Sequence, residues 1–136
     1  DWILRDELSI GSAPKTIEDI YELKLNGITG ILSLCSKEEN PFNESLKDYF
    51  NHTNIILPDH KYKSRLSIDQ LNIALENLSR LKKKGPVYVH CLAGMERSPL
   101  VCMAWLIKIH NLTPTQALDY LMNVHNIMID DIIKCS

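Results

Sequence analysis

The chain has 136 residues, 45% apolar and 24% charged, which excludes a disordered or fibrous polymer and points to a single domain over 1–136. Its net charge of −2 supplies no basic stripe for nucleic acid, and its longest apolar run, Leu100 to Ile107, is too short to cross a bilayer. Cys35, Cys91, Cys102 and Cys135 are irregularly spaced, forming neither a disulfide framework nor a metal knuckle.

Along the chain, short β-like runs alternate with helix-like ones. Strands are expected at Leu8–Ile10, Gly30–Leu34, Thr53–Leu57 and Val87–His90, with a weaker one at Ile3–Leu4. Thr16 reads as the N-cap of a helix carrying Ile17, Ile20, Tyr21 and Leu25, which Gly27 stops. A short helix is expected over Glu44 to Phe50. Ser67 to Gln70 reads as a capping box before the stripe Ile68, Leu71, Leu75, Leu78 and Leu81. The lysines Lys82, Lys83 and Lys84 at its end suit the helix macrodipole better than a binding patch. A helix opening at Arg97-Ser98-Pro99 is apolar almost all round and so is expected to be buried. Thr113 to Gln116 is a second capping box, with Pro114 at the first helical position. The sum is an α/β fold, a central twisted sheet of four to five strands flanked by helices.

The chemistry is concentrated in His90-Cys91-Leu92-Ala93-Gly94-Met95-Glu96-Arg97-Ser98, directly after an apolar strand. A thiol, five residues and a guanidinium let a loop curl around one phosphate. Ligands of open α/β sheets bind at the carboxyl ends of strands, and helix N-termini and loop amides favour an anion and a thiolate. Leu92, Ala93, Gly94, Met95 and Glu96 would supply those amides, Gly94 giving the permissive backbone of a tight cradle. Arg97 suits bidentate contact with two phosphate oxygens, and the Ser98 hydroxyl is placed to serve the cysteine sulfur as a leaving group.

With these residues in view, the chain resembles the dual-specificity branch of the cysteine-dependent protein tyrosine phosphatase superfamily. That superfamily's signature, H-C-x-x-G-x-x-R-[S/T], is met at His90, Cys91, Gly94, Arg97 and Ser98. The resemblance implies a tyrosine-phosphatase-like fold and hydrolysis of phosphate monoesters through a cysteinyl-phosphate. The substrates implied are phosphotyrosine and phosphoserine/threonine of proteins. It also implies a general acid on a separate loop about thirty residues before the cysteine. Asp59, 32 positions before Cys91 and just after Ile55-Ile56-Leu57-Pro58, fits that role. Cys35 stands where some superfamily members keep a resolving cysteine that forms a reversible disulfide with the nucleophile.

Lys61, Lys63 and Arg65 read equally as a positive rim to the cleft or as solvated loop charges. Glu96 departs from the small residue usual at its position and is expected to point outward. The loop's variable positions hold no lysine, whereas lipid phosphatases of the superfamily tend to carry them there. The alternatives carried are a non-protein substrate (phosphoglucan, RNA or lipid phosphate) and a non-catalytic phosphate-binding module. A rhodanese-like phosphatase is disfavoured by Ser98 and by Asp59. No cofactor or metal is expected, and oligomeric state is left open. The need for a reduced thiol implies a cytoplasmic or nuclear setting.

Overall fold

In the computed structural model, residues 2–57, 68–91 and 97–125 are described. Five strands, β1 (Trp2–Leu4), β2 (Leu8–Gly11), β3 (Gly30–Ser33), β4 (Asn51–Asn54) and β5 (Val87–His90), form one sheet in the order β1-β2-β5-β3-β4. β1 runs antiparallel to β2 at the edge, and the other four are parallel. The helices are α1 (Ile17–Leu25), α2 (Asn43–Leu46), α3 (Ile68–Lys82), α4 (Arg97–Ile109) and α5 (Pro114–His125).

Alternation along the strands sends residues to two cores. Val87 and Val89 join Leu32 and Leu34 against the buried faces of α3, α4 and α5, whereas Tyr88 and Ile31 meet Ile20 of α1 and Leu46 of α2. β5 is buried at every residue because it is central and covered on both faces. The chain steps from β2 past this position to β3 and β4, and α3 then returns it between β2 and β3. The carboxyl end of β5 is therefore a topological switch point, where open α/β sheets present a ligand crevice.

Thr16 caps α1 as expected and forms a full capping box, and the capping box expected at α5 forms too. Thr16 Oγ1 accepts from the Asp19 N–H while the Asp19 carboxylate accepts from the Thr16 N–H. Thr113 and Gln116 reciprocate in the same way. Ser67 lies outside the described residues, and Ile68 is exposed while Ala74, Leu75, Leu78 and Leu81 bury the helix face. β4 is displaced from the expected Thr53–Leu57 to Asn51–Asn54. It is an edge strand with a polar sequence, and its register starts at Gly30–Asn51. The apolar Ile55–Leu57 follows as irregular chain, bonded to Ser33 and Leu34 carbonyls.

Glu7 ties α4 to the β1–β2 turn, its Oε2 accepting from Trp105 Nε1 at 2.9 Å and bonding His110 Nε2 at 2.6 Å. A cleft of about 550 Å3 runs between α1 and β2, lined by Gly11, Asp19, Glu22 and Tyr88 among others, but by neither Cys91 nor Arg97. On its floor the Tyr88 hydroxyl donates to the Ser12 carbonyl at 2.7 Å. A Cβ at Gly11 would stand 2.2 Å from that hydroxyl oxygen. Gly11→Ala should therefore cost about 1–3 kcal/mol of stability, as overpacking does. Chemical denaturation should show Tyr88→Phe recovering part of that loss in the Gly11→Ala background, a non-additivity expected of touching groups.

Candidate active site

Cys91 immediately follows β5 and is 1% exposed. Arg97 opens α4 and is 4% exposed. The sulfur at a strand's carboxyl end and the guanidinium at a helix N-terminus thus flank the connecting loop. Leu92, Ala93, Gly94, Met95 and Glu96 themselves lie outside the described residues, as do Asp59, Lys61, Lys63 and Arg65.

Arg97 is anchored from three segments. Nη1 donates to the Leu34 carbonyl at 3.3 Å and to the Leu57 carbonyl at 3.4 Å. Nη1 and Nη2 donate to the two carboxylate oxygens of Glu39 at 3.3 and 3.2 Å, a fork-on-fork pair. Sequence reasoning missed Glu39, which is 58 residues from Arg97 and carries no local signal beyond the acidic run Glu38-Glu39. Burial raises the pKa of its carboxyl, but the Arg97 hydrogen bonds and the Ser36 amide outweigh this and hold it below the ordinary carboxylate range.

A cluster of asparagines fixes the segment that carries Glu39. Asn40 Nδ2 donates to the Pro14 carbonyl and to Asn43 Oδ1, both asparagines being buried. Asn43 Nδ2 donates to the Cys35 carbonyl, and Asn54 Nδ2 reaches the Ser33 and Cys35 carbonyls. These bonds fasten the chain as it leaves β3, beside the backbone bonds from Leu34 N–H to the His90 carbonyl and from Ile55 N–H to the Ser33 carbonyl.

Cys35 is fully buried, and its Sγ accepts from Asn43 Nδ2 at 3.7 Å. Burial pushes its thiol pKa up, opposed by Asn43 and by the Arg97 charge and reinforced by Glu39 and Cys91. Ser98 is fully buried, and its hydroxyl has no hydrogen-bond partner among the described residues. His90 Nε2 lies 2.6 Å from Ser33 Oγ. Burial pushes the His90 imidazole down to about 4, the Cys91 backbone pulling the other way, so the ring is neutral at physiological pH. Cys102, expected in the core, is fully buried, and Trp105 is 4% exposed.

The Cys91 sulfur and the anchored Arg97 guanidinium flank a strand–loop–helix junction at the switch point of a parallel sheet, the arrangement a phosphate-binding loop of the cysteine-dependent phosphatase class requires. A model of the dual specificity phosphatase catalytic domain matches residues 8–133, and the chain belongs to that family. It is 26% identical over 124 residues to the phosphatidylglycerophosphate phosphatase PTPMT2 of Arabidopsis thaliana, a match covering 90% of this chain and 54% of that one. It is 32% identical over 99 residues to dual specificity protein phosphatase 14 of Mus musculus, covering 72% and 47%. The chain thus spans about half the length of these two relatives. In fold it is similar to Tk-PTP in its active form, with a TM-score of 0.79 at 20% identity over 98% of this chain and 90% of that one.

Glu39→Gln keeps an acceptor but removes the charge and the symmetric fork. We expect kcat/KM and vanadate affinity to fall tenfold or more, in line with the roughly 1.5–3 kcal/mol of a hydrogen bond to a charged group. Tighter vanadate binding in the variant would mean that Glu39 acts mainly by repelling the anion.

Proposed function

We propose that residues 1–136 act as one catalytic unit that hydrolyses phosphotyrosine and phosphoserine/threonine of proteins by a two-step, metal-independent route. The observation that carries this reading is the Arg97 guanidinium held in place beside the strand end that bears Cys91. In the first step the Cys91 thiolate attacks phosphorus in line, with the equatorial oxygens held by Arg97 and the amides of Leu92 to Glu96. The phosphorus–oxygen ester bond breaks as Asp59 protonates the departing oxygen. In the second step Asp59 takes a proton from water, whose oxygen displaces sulfur and releases phosphate. Leu57, two residues before Asp59, accepts from Arg97 Nη1, which supports Asp59 as the acid. The orphaned Ser98 hydroxyl is the group we assign to stabilise the departing sulfur.

A lipid phosphate is the second reading, favoured by the 26% identity with the plant phosphatidylglycerophosphate phosphatase PTPMT2. Against it stands the absence of lysine at positions 92, 93, 95 and 96. Among the described residues no helix is long and apolar enough to cross a membrane. We place the enzyme in a reducing compartment, the cytoplasm or nucleus, in keeping with free thiols at Cys35, Cys91 and Cys102. We also assign Cys35 as a resolving thiol. Peroxide would convert the Cys91 thiolate to a sulfenic acid, and Cys35 would displace water from it to form the disulfide. Non-reducing peptide mapping after mild peroxide should find the Cys35–Cys91 bridge, whereas sulfinic Cys91 beside free Cys35 would refute this assignment.

Two variants test the route. Cys91→Ser should abolish turnover of p-nitrophenyl phosphate and still bind phosphopeptide. Asp59→Ala should slow an alkyl phosphate by the roughly 100- to 10,000-fold of a lost general acid, and p-nitrophenyl phosphate, with its better leaving group, far less. Equal slowing of both substrates would remove Asp59 from the acid role.

A further inference from the structure

Three adjacent strands place one residue each on the α1/α2 face of the sheet, close to the nucleophile. Ser33 ends β3, and its register partner on β5 is His90. His52 lies on β4 opposite Ile31, two residues from Ser33 and so on the same face. Ser33 Oγ is 2.6 Å from His90 Nε2 and 2.9 Å from His52 Nε2. Ser33 and His90 are fully buried, and His52 is partly buried.

One hydroxyl has one proton to give and two lone pairs to fill. Burial lowers the pKa of both imidazoles, so both rings are neutral at physiological pH and each carries a single N–H. Three arrangements are then open. If both Nε2 atoms are bare, Ser33 satisfies only one, and the other contact sets two lone pairs against each other. If both are protonated, Ser33 accepts twice, and its own proton is stranded in the core with no further partner among the described residues. If one is bare and the other protonated, both contacts of the Ser33 hydroxyl are satisfied. An unsatisfied buried polar group costs about 1–3 kcal/mol, which favours the third arrangement decisively.

We propose that His52 and His90 hold opposite tautomers locked together through Ser33, and that His52 is thereby a positioning residue for the end of β5 that presents Cys91. The tautomer of the more exposed ring dictates which nitrogen of the buried ring carries the proton, and hence whether the buried His90 Nδ1, without a hydrogen-bond partner among the described residues, carries an N–H or a lone pair. Ser33 is the obligatory link, since no other described group bridges the rings. The positioning role rests on the phosphatase reading above, whereas the tautomer statement does not.

The experiment is long-range 15N–1H NMR of the imidazoles in the full chain at neutral pH, with steady-state kinetics on p-nitrophenyl phosphate. Opposite protonation of the two Nε2 atoms is expected, and the same state on both rings overturns the proposal. Ser33→Ala and His52→Phe should each lower kcat about tenfold with KM within about twofold, the signature of a misplaced reacting group rather than lost binding. Ser33→Thr, which keeps the hydroxyl, should restore both the tautomer pair and kcat. If Ser33→Ala does not fold, His52→Phe reads the same split. An unchanged kcat in a folded His52→Phe overturns the positioning role. A wild-type chain with opposite tautomers and no turnover would sink the phosphatase reading and leave the hydrogen-bond assignment standing.

Discussion

The site depends on how one guanidinium is held. Arg97 is buried at the start of α4 and joined to Leu34 after β3, Leu57 after β4, and Glu39 in the segment between α2 and β3. Removing the carboxylate would take away the fork that pairs both terminal nitrogens of this buried cation, and a buried charge that loses its partner is costly. The pair therefore does two things at once. It keeps Arg97 oriented, and it ties the segments after β3 and β4 into one rim around the Cys91 end of β5.

Much of this frame is legible from local sequence, because local chemistry decides it. The capping residues Thr16 and Thr113 can satisfy only the amides a few residues on, so they mark α1 and α5 without reference to the fold. The apolar run at Val87 to Val89 marks β5 as a strand, though not its central place in the sheet. The spacing of Cys91 and Arg97 announces a phosphate loop because the intervening five residues are themselves the device. β4 was misplaced by three residues at its end because an edge strand is set by hydrogen bonding to its neighbour, and Asn51–Asn54 carries no apolar alternation. Glu39, Asn40, Asn43, Asn54, Ser33 and His52 were illegible as site residues for a different reason. Each acts on partners brought in from another segment, and nothing in a run such as Lys37-Glu38-Glu39-Asn40 says which carboxylate will meet an arginine 58 residues away.

The polar residues around β3 follow from a common constraint. Where a parallel strand ends, the regular ladder thins and the backbone groups that follow need other partners. Here asparagine side chains cap the carbonyls of Ser33 and Cys35, and the Ser33 hydroxyl meets two imidazoles. These short side chains lose little conformational freedom on burial compared with Lys or Gln. The outcome is a hydrogen-bonded polar layer beside the Cys91 end of β5, on the face opposite the apolar packing of α3, α4 and α5.

A carboxylate beside an anion site looks self-defeating, since it cancels part of the charge that draws phosphate in. The geometry decides otherwise. Glu39 engages both terminal nitrogens of Arg97, so its charge is opposed at contact distance. A phosphate farther off meets mainly the ordered dipole of the pair together with the α4 N-terminus. An unpaired arginine would offer a larger field but a guanidinium free to swing, and the reorganisation needed to aim it would fall on the reacting complex. Preorganised donors are worth most where the charge develops and where they need not move. The Arg97–Glu39 fork exchanges some long-range attraction for a donor already held in one orientation.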